Sequence, residues 1–230
     1  MSNSPFVSAV IAAAGSSRRM EGTDKQKASL VGTPVIIRTI MQFQQNTEIS
    51  EIILVCPEHE IKNFQNLLQK HQIAGVSAIV AGGGTRQESV FAGINACNPE
   101  ADYYAIHDGA RPLVSQEVIN DVLAGAIKYG GAAPGIEAKE TIKIISKDGF
   151  VHNTPARNTL RIIQTPQVFD AALYKKAMAI AIQHNLDFTD DCQLFEAAGQ
   201  RVFITKGDSA NIKITFPLDM EVSETILKNI

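Results

Sequence analysis

Short apolar runs alternate with amphipathic stretches from the start of the chain to about Gly131. The apolar runs predict buried strands at FVSAVIAAA (6–14), EIILVCP (51–57), VSAIVAGG (76–83) and YYAIH (103–107). Helices are predicted between them, beginning near Pro34, Glu60, Arg86 and Gln116. Ser115 is the expected N-cap and Gly130 the expected C-cap of the last helix. Such alternation indicates an α/β fold with a mostly parallel, twisted sheet and helices on both faces.

Beyond Gly131 the hydrophobic period changes to two, with a turn at Lys147–Gly149. This pattern predicts a β-arm at about 137–163 that projects from the sheet. Helices are expected to begin at Ala171 and near Asp190, and a final helix to span 218–227. Strands are expected near 202–205 and at NIKIT (211–215). Residues 1–230 are therefore interpreted as one domain with an inserted arm.

Composition narrows the class of protein. The chain has 230 residues, a length that suits one α/β domain, and its formal net charge of -3 argues against general nucleic-acid binding. An anionic partner must then be held by a local group of Lys and Arg. The three cysteines are far apart and fit no zinc-site spacing, which predicts free thiols in a reducing cytoplasm. The apolar N-terminal run is too short to span a membrane, and no membrane partner is expected.

In parallel sheets, ligands bind at the carboxyl ends of the strands, and the first such end is AAGSSRRM. A Gly/Ser turn after a buried strand directs backbone N–H groups at a ligand. Arg18, Arg19 and Lys25 would add positive charge beside those donors, enough to neutralise a triphosphate. A solvated surface turn with two arginines explains the same residues equally well.

Two more strand ends carry candidate ligand groups. In AGGGTRQESV, Gly82–Gly84 offer a backbone surface against a flat base, and Ser89 a hydrogen bond to its edge; a plain tight turn is the alternative. In HDGARP, Asp108 is placed for Mg²⁺ or a ribose hydroxyl, and Arg111 for a phosphate. His107 is interpreted as a satisfied core or rim histidine.

Two later motifs have plainer explanations. In TDD, Thr189 is the expected N-cap of a helix, with Asp190 and Asp191 in its favourable first turn. In NIKIT, Asn211 and Lys213 share one face of the expected strand, and the spacing leaves open whether that face meets solvent or the pocket.

Taken together, the motifs resemble one family, the 2-C-methyl-D-erythritol 4-phosphate cytidylyltransferases of the non-mevalonate isoprenoid pathway. The resemblance rests on nine segments in the family's order: AAGSSRRM, KQ (25–26), GGGTRQESV, HDGARP, ETIK (140–143), RNTL (157–160), QTPQ, TDD and NIKIT. It covers the chain from residue 11 to about residue 220.

The resemblance implies a Rossmann-like nucleotidyltransferase fold whose β-arm exchanges with a partner in a homodimer. It implies that CTP and 2-C-methyl-D-erythritol 4-phosphate are converted, with Mg²⁺, to 4-diphosphocytidyl-2-C-methyl-D-erythritol and pyrophosphate. An attacking phosphate is already anionic, so this reaction needs cations and a metal rather than a general base.

The resemblance also implies roles for particular residues. Arg19 and Lys25 would stabilise charge on the α-phosphate, and Arg157 and Lys213 would position the attacking phosphate. The cytidine and triphosphate would be held by Ala13, Ala14, Gly15, Gly82, Gly83 and Ser89. The sugar-phosphate side would be lined by Asp108, Arg111, Thr141 and Thr165, with Asp108 also counted among the nucleotide-binding residues and as the candidate metal ligand.

Some positions depart from the family pattern, and other functions stay open. The family often has Gly at Ser17, commonly has an acidic residue at Gly84 and Ala at Gly109, and lacks the charge of Lys27. A cytidylyltransferase for another polyol phosphate, such as ribitol 5-phosphate, shares most of these motifs. A non-catalytic nucleotide-binding regulatory domain, or a sugar-1-phosphate nucleotidyltransferase that uses UTP or GTP, would have the same fold.

Overall fold

The fold was analysed in a computed structural model, which describes residues 4–15 and 24–229. The strands in these residues are β1 (Val7–Ala12), β2 (Ser29–Leu30), β3 (Thr33–Pro34), β4 (Glu51–Cys56), β5 (Val76–Ala81), β6 (Tyr103–Asp108), β7 (Gly131–Glu137), β8 (Ile144–Ile145), β9 (Val151–Asn153), β10 (Arg161–Ile163), β11 (Gln167–Asp170) and β12 (Phe203–Lys206). The α-helices are α1 (Val35–Gln44), α2 (Ile61–Lys70), α3 (Arg86–Asn95), α4 (Gln116–Tyr129), α5 (Ala171–Gln183), α6 (Asp191–Ala197) and α7 (Pro217–Lys228).

An eight-stranded mixed sheet forms the centre. Seven of its strands have the order β10-β7-β11-β6-β1-β4-β5, and the eighth, β12, also pairs with β7. The strands β6, β1, β4 and β5 are parallel to one another, as is the β7–β12 pair. β10 and β11 run antiparallel to β7, and β11 also pairs antiparallel with β6. The predicted α/β fold with a mostly parallel sheet is confirmed.

Helices cover both faces of the sheet. Alternate residues of a strand point to opposite sides, and apolar side chains on each side pack against helices. On β1, Ile11 belongs to one buried cluster, which includes the apolar faces of α1, α2 and α4. Its neighbour Val10 belongs to a second cluster, which includes side chains of α3, α5 and α6. None of the helices in the described residues is long and apolar enough to cross a membrane.

The caps predicted for α4 are present. The Ser115 hydroxyl accepts a hydrogen bond from the Val118 N–H, and Gly130 ends the helix in the left-handed region with φ of 87°. Gly130 suits this position because a side chain would be strained there.

The segment between β7 and β10 contains the predicted hairpin. β8 and β9 pair in a small sheet of their own, and Gly149 turns the chain between them with φ of 88°. Large apolar side chains on this arm are exposed, among them Ile145 at 63%, Phe150 at 73% and Val151 at 59%. β10 then returns the chain to the central sheet beside β7.

The NIKIT segment is not a strand, which corrects the sequence-based expectation. Asn211–Thr215 has no ladder partner, although the Ile214 N–H donates to the Ala110 carbonyl. The Asn211 side chain is fully buried, while the Lys213 side chain is 40% exposed.

Candidate active site

A pocket of about 480 Å³ lies at the carboxyl ends of β1, β5 and β6. It is lined by Ala12, Ala14, Gly15, Lys25, Gln26, Gly83, Gly84, Thr85, Arg86, Ser89, Asp108, Ala110 and Lys213. The strand ends that the sequence singled out therefore meet in one place, where parallel sheets bind their ligands.

The end of β1 contributes backbone and one edge of the pocket. Ala14 and Gly15 line it, whereas Ala13 is buried and its N–H donates to the Val55 carbonyl at 2.7 Å. Arg18 and Arg19, the predicted triphosphate cations of this stretch, lie outside the described residues.

The glycine loop after β5 is held in place by Ser89. The Ser89 hydroxyl accepts from the Gly83 N–H at 3.1 Å and donates to the Thr85 carbonyl at 2.9 Å. A Cβ at Gly82 would lie 2.5 Å from the Ala14 Cβ and 2.7 Å from the Ser89 Oγ, so only glycine fits between them. The loop is thus a fixed backbone wall, and Ser89 both orders it and lines the pocket.

Three cations surround the Asp108 carboxylate at the end of β6. Lys213 Nζ lies 2.9 Å and Arg111 Nε 3.3 Å from its Oδ2, and Arg86 Nε lies 3.8 Å from its Oδ1. Burial favours a raised pKa for Asp108, but the attraction of Lys213, Arg86 and Arg111 is stronger and holds the pKa well below its usual range. Asp108 is therefore ionised at neutral pH.

Arg111 acts on this carboxylate from outside the pocket lining. Its Nη1 donates to the Asn211 carbonyl at 2.7 Å, which connects the turn after β6 to the NIKIT segment. Burial lowers the pKa of Arg111, although Asp108 opposes the effect. The contacts of Arg111 hold Asp108 and the backbone before Lys213 in place.

Thr165 and His107 form a buried chain behind Asp108. The Thr165 hydroxyl accepts from the Asp108 N–H at 3.0 Å and lies 3.0 Å from His107 Nδ1, while His107 Nε2 lies 3.2 Å from the Arg111 carbonyl. A carbonyl only accepts, so Nε2 carries the proton and Nδ1 accepts from Thr165. Burial lowers the pKa of His107 to about 3, which keeps the ring neutral. His107 is the satisfied core histidine that the sequence indicated.

The two acids of the TDD motif lie at the start of α6, with Asp191 in its first turn as predicted. The predicted N-cap Thr189 is wrong, and both acids also bind distant side chains. The N-cap of α6 is Asp190, with no side-chain capping bond, and its carboxylate accepts from Gln167 at 2.5 Å. The buried Asp191 accepts from the Tyr174 hydroxyl at 2.7 Å and lies 2.6 Å from Arg86 Nη2. Burial alone would lower the pKa of Arg86, but Asp191 and Asp108 raise it.

Arg86 is a charged pocket residue that sequence reasoning missed. Its place in the glycine motif directed attention to the backbone and to Ser89, and its partner Asp191 is far away along the chain. A signal was present, since an arginine in the first turn of a helix is unfavourably placed for the helix dipole and calls for a nearby anion.

Lys27, a departure from the family pattern, is occupied elsewhere. Its ammonium lies 2.5 Å from the Glu60 carboxylate and 3.3 Å from that of Asp24. Burial opposes the charge, but these two acids raise the pKa of Lys27. The extra charge is thus paired and is absent from the pocket lining.

Thr141 and Arg157, both predicted to bind the acceptor, lie on the exposed arm. Arg157 Nη1 donates to the Lys139 carbonyl at 3.1 Å, and neither Thr141 nor Arg157 lines the pocket of its own chain. Thr141 and Arg157 are therefore separated from Lys25, Asp108 and Lys213.

The described residues contain no group of three His, Cys, Asp or Glu side chains that would hold a metal ion. The three cysteines are free and buried. Burial raises the pKa of Cys56 to about 11 and that of Cys97 to about 12, and also raises that of Cys192. Such thiols are poor nucleophiles, and none of them lines the pocket.

Comparison with known proteins identifies the family and the fold of the chain. A family model described as 2-C-methyl-D-erythritol 4-phosphate cytidylyltransferase matches residues 7–229. The chain belongs to this family. A cytidylyltransferase of this name from Clostridium novyi is 41% identical over 224 residues, which is 96% of each chain. Its counterpart from Caldanaerobacter subterraneus is 42% identical over 96% of this chain and 99% of its own.

Solved structures agree with this family assignment. A 4-diphosphocytidyl-2C-methyl-D-erythritol synthase from Anaerococcus prevotii superposes with a TM-score of 0.87 at 32% identity, covering 98% of this chain and all of its own. The 2-C-methyl-D-erythritol 4-phosphate cytidylyltransferase from Thermus thermophilus gives a TM-score of 0.78 at 28% identity, covering 97% of this chain and 99% of its own. The α/β cytidylyltransferase fold is therefore shared over the whole length of both proteins.

Proposed function

We propose that this chain transfers the cytidylyl group of CTP to 2-C-methyl-D-erythritol 4-phosphate and releases pyrophosphate, a step of non-mevalonate isoprenoid precursor biosynthesis. One observation carries the proposal: in a member of this family, a glycine loop, two lysines and a buried carboxylate converge on one pocket at the carboxyl ends of parallel strands. A pocket of about 480 Å³ has the size of a ligand site for a nucleotide.

The nucleophile in this reaction is the phosphate of the acceptor. It is already anionic, so the enzyme has to bring two polyanions together and stabilise the negative charge that develops on the α-phosphate. Lys25 lines the pocket and supplies positive charge for that purpose, together with Arg19. Lys213 is 40% exposed, so its ammonium can exchange Asp108 for a phosphate oxygen and orient the attacking group.

The base and ribose are assigned to the backbone side of the pocket. Gly83, Gly84 and Ser89 form a wall along which a flat base fits. The N–H groups of Gly83 and Gly84 donate to Ser89 and Glu88, and the Ser89 hydroxyl donates to Thr85, so the loop carbonyls and the Ser89 oxygen are the groups proposed to meet the base edge. Ala14 and Gly15 also line the pocket, Ala14 beside Gly82 of the loop, and we assign Gly15 to the phosphates. Glycine at position 84 leaves recognition of cytosine to the loop backbone and Ser89.

Magnesium is the metal that we propose for the reaction. Mg²⁺ takes few protein ligands when it is bound together with substrate phosphates, so a single ionised carboxylate at the pocket edge suits it. Asp108 is such a group, since its Oδ1 is beyond hydrogen-bond distance from Arg86. The ion, when bound, neutralises phosphate charge beside Lys25 and Lys213.

The acceptor side of the site is proposed to involve a second copy of the chain. Arg157 and Thr141 do not line the pocket of their own chain, and the arm that carries them exposes large apolar side chains. A homodimer that exchanges arms would bury those side chains and bring Arg157 to the acceptor phosphate of its partner. Arg111 and Thr165 support this side from behind, through Asp108.

The setting of the reaction follows from composition and chemistry. The three buried free thiols fit a reducing cytoplasm. The net charge of -3 offers no general surface for nucleic acid, and small phosphorylated substrates are the proposed ligands.

A substrate panel tests the function. Pyrophosphate release is measured with CTP, UTP, ATP and GTP, each with Mg²⁺ and with either 2-C-methyl-D-erythritol 4-phosphate or ribitol 5-phosphate. We expect the highest kcat/KM for CTP with the methylerythritol phosphate. A preference for ribitol phosphate, or for another nucleotide, would contradict the proposed substrate pair. Absence of release with every pair would make the chain a binding module.

A further inference from the structure

Arg86 joins two acidic groups from distant parts of the chain at the edge of the pocket. It is the first residue of α3, directly after the glycine loop and the N-cap Thr85. Its guanidinium lies 2.6 Å from Asp191 at the start of α6 and 3.8 Å from Asp108 at the end of β6. We propose that Arg86 is a positioning residue for the nucleotide, and that Asp191 holds it at a distance that keeps Asp108 Oδ1 available to the ligand.

The two oxygens of Asp108 have different surroundings. Oδ2 is in contact with both Lys213 and Arg111, at 2.9 and 3.3 Å. Oδ1 faces Arg86 at 3.8 Å, which is an electrostatic contact without a hydrogen bond. Arg86 therefore attracts the carboxylate to one orientation without occupying the oxygen on its own side.

Asp191 is the group that keeps Arg86 in this place. Its side chain is 3% exposed, and its second oxygen accepts from the Tyr174 hydroxyl of α5. Tyr174 is itself fully buried among the side chains packed between α5 and the sheet. Asp191 meets Arg86 with its other oxygen, so the closer of the two ion pairs of Arg86 points away from the pocket.

The same arrangement orders the glycine loop. Thr85 caps α3 by accepting from the Glu88 N–H, and the Ser89 hydroxyl accepts from the Gly83 N–H, so hydrogen bonds join the loop to the first turn of α3. The Arg86–Asp191 pair attaches this unit to α6. Without the pair, the glycine loop would lose its attachment to α6, and the carboxylate of Asp108 would no longer be held in one orientation.

A purely stabilising role explains the pair less well. A buried ion pair pays for the desolvation of both charges and is often no more stabilising than apolar residues of the same size. Arg86 lines the pocket and Asp191 lies behind it. This position is better explained if the pair holds ligand-binding groups in place. This inference rests on the proposed function, in which Asp108 and the glycine loop hold the nucleotide.

Four variants test the inference: Asp191→Asn, Arg86→Gln, Arg86→Lys and Tyr174→Phe. Asp191→Asn keeps an acceptor for Tyr174 but loses the charge that holds Arg86. CTP affinity is measured by calorimetry with Mg²⁺, and KM is measured separately for CTP and for 2-C-methyl-D-erythritol 4-phosphate. We expect Asp191→Asn and Arg86→Gln to raise Kd and KM for CTP by about tenfold or more, with the acceptor KM changed by less than about threefold. Arg86→Lys should recover part of the loss.

Tyr174→Phe is the matched control, because it removes one hydrogen bond from Asp191 but keeps the carboxylate charge that holds Arg86. It should lower Tm and leave the Kd for CTP within about twofold of wild type. A role in stability alone would lower Tm in all variants and leave Kd and both KM values unchanged, and that result would overturn the inference. Equal CTP affinity in Tyr174→Phe and Asp191→Asn would overturn it too.

A crystal structure of Asp191→Asn gives a readout that does not depend on turnover. We expect Arg86 to move within hydrogen-bond distance of Asp108, and an unchanged separation of 3.8 Å would contradict the role given to Asp191. If the wild-type protein binds CTP but does not transfer it, the proposed function fails while the comparison of Kd values still decides the role of Arg86.

Discussion

Lys25 and Lys27 are two positions apart and have different surroundings. Lys25 lines the pocket, while the ammonium of Lys27 is paired with Glu60 and Asp24. Replacing either lysine by alanine removes one positive charge from the same segment, in one case at the pocket and in the other outside it, so the two variants can be compared directly.

The variant Lys25→Ala should lower kcat by about 10²-fold or more, because one cation directed at the charge of the transition state is worth about 3 to 4 kcal/mol. Lys27→Ala should keep kcat within about threefold, since surface ion pairs contribute little. Steady-state kinetics and circular dichroism of both variants are the measurements. Equal kcat values for the two variants would remove Lys25 from the catalytic group, and the same test applies to Arg19→Ala.

His107 gives the protein a stability that depends on pH. Burial lowers its pKa from 6.5 to about 3. Between these two pH values, His107 is protonated in the unfolded chain and neutral in the native state. The native state consequently loses stability as the pH falls from 6.5 towards 3. Between pH 6.5 and about pH 5, this group alone should reduce the free energy of unfolding by about 2 kcal/mol.

Urea denaturation of wild type and His107→Gln at these two pH values measures the effect. Glutamine can accept from Thr165 and donate to the Arg111 carbonyl, but it does not titrate. The difference in unfolding free energy between the two pH values should shrink in the variant. An identical difference in both proteins would show that His107 is not the responsible group.

Residue identity alone revealed part of the site. Lys25, Ser89 and Asp108 could be selected because each comes after a predicted strand end, and Lys213 through the family resemblance. All four line the pocket. Arg86 and Asp191 escaped because their importance comes from a pairing between α3 and α6 that no local pattern encodes. For the same reason, the sequence pattern of Asp190 and Asp191 indicates the helix start, where both lie, but not their contacts with Gln167 and Arg86.

At the scale of elements, α3 packs on the sheet through a glycine. A Cβ at Gly93 would lie 2.5 Å from Val10 Cγ1 and 2.8 Å from Val55 Cγ2, two β-branched side chains that cannot move aside easily. In α4, a Cβ at Gly125 would have its nearest neighbour, the Ala132 Cβ, at 3.0 Å. The two helices thus differ in how closely they approach the strands.

Gly93→Ala should destabilise the protein by about 1 to 2 kcal/mol. The gain in helix propensity is up to about 1 kcal/mol, and the cost of overpacking, about 1 to 3 kcal/mol, exceeds it. Gly125→Ala is the control and should stay within about 1 kcal/mol of wild type, because its neighbours have to yield only slightly. Chemical denaturation gives both values, and a Gly93→Ala protein as stable as wild type would contradict the packing described for α3.

Strands and helices of the central sheet could be predicted because burial imposes a period of two or 3.6 on the residues. The NIKIT segment alternates in residue type but not in burial, because its buried residues are three positions apart. Asn211 and Ile214 are both buried, and the Asn211 amide donates to the Thr165 carbonyl at 2.9 Å, although no strand pairs with the segment. An alternation over five residues is therefore not enough to predict a strand, because the sequence does not show whether another strand pairs with the backbone.

At the scale of the whole molecule, the positions of Lys25 and Arg157 lead to a test by mixing. Lys25→Ala and Arg157→Ala should each be nearly inactive. If Arg157 serves the pocket of the partner, a mixed dimer contains one pocket with Lys25 from one chain and Arg157 from the other. Refolding the two variants together in equal amounts should restore about a quarter of the wild-type activity, because half of the dimers are mixed and each has one intact pocket.

Each variant refolded alone is the control for this mixture. No recovery in a mixture whose dimers are shown by mass spectrometry to be mixed would place Arg157 in the pocket of its own chain, or outside catalysis altogether. The sequence could predict the arm from its alternation but not the pocket that its residues reach, because that depends on a surface of a second molecule.

The exposed apolar side chains of the arm also have a consequence for how the activity of this enzyme depends on its concentration in a cell. Suppose that each pocket is complete only in the dimer. When the chain concentration is well below the dimer dissociation constant, the concentration of active sites falls more steeply than that of the chain. In that range the number of working sites grows with the square of the chain concentration. A modest change in gene dosage or protein turnover would then change the flux through the reaction more than proportionally.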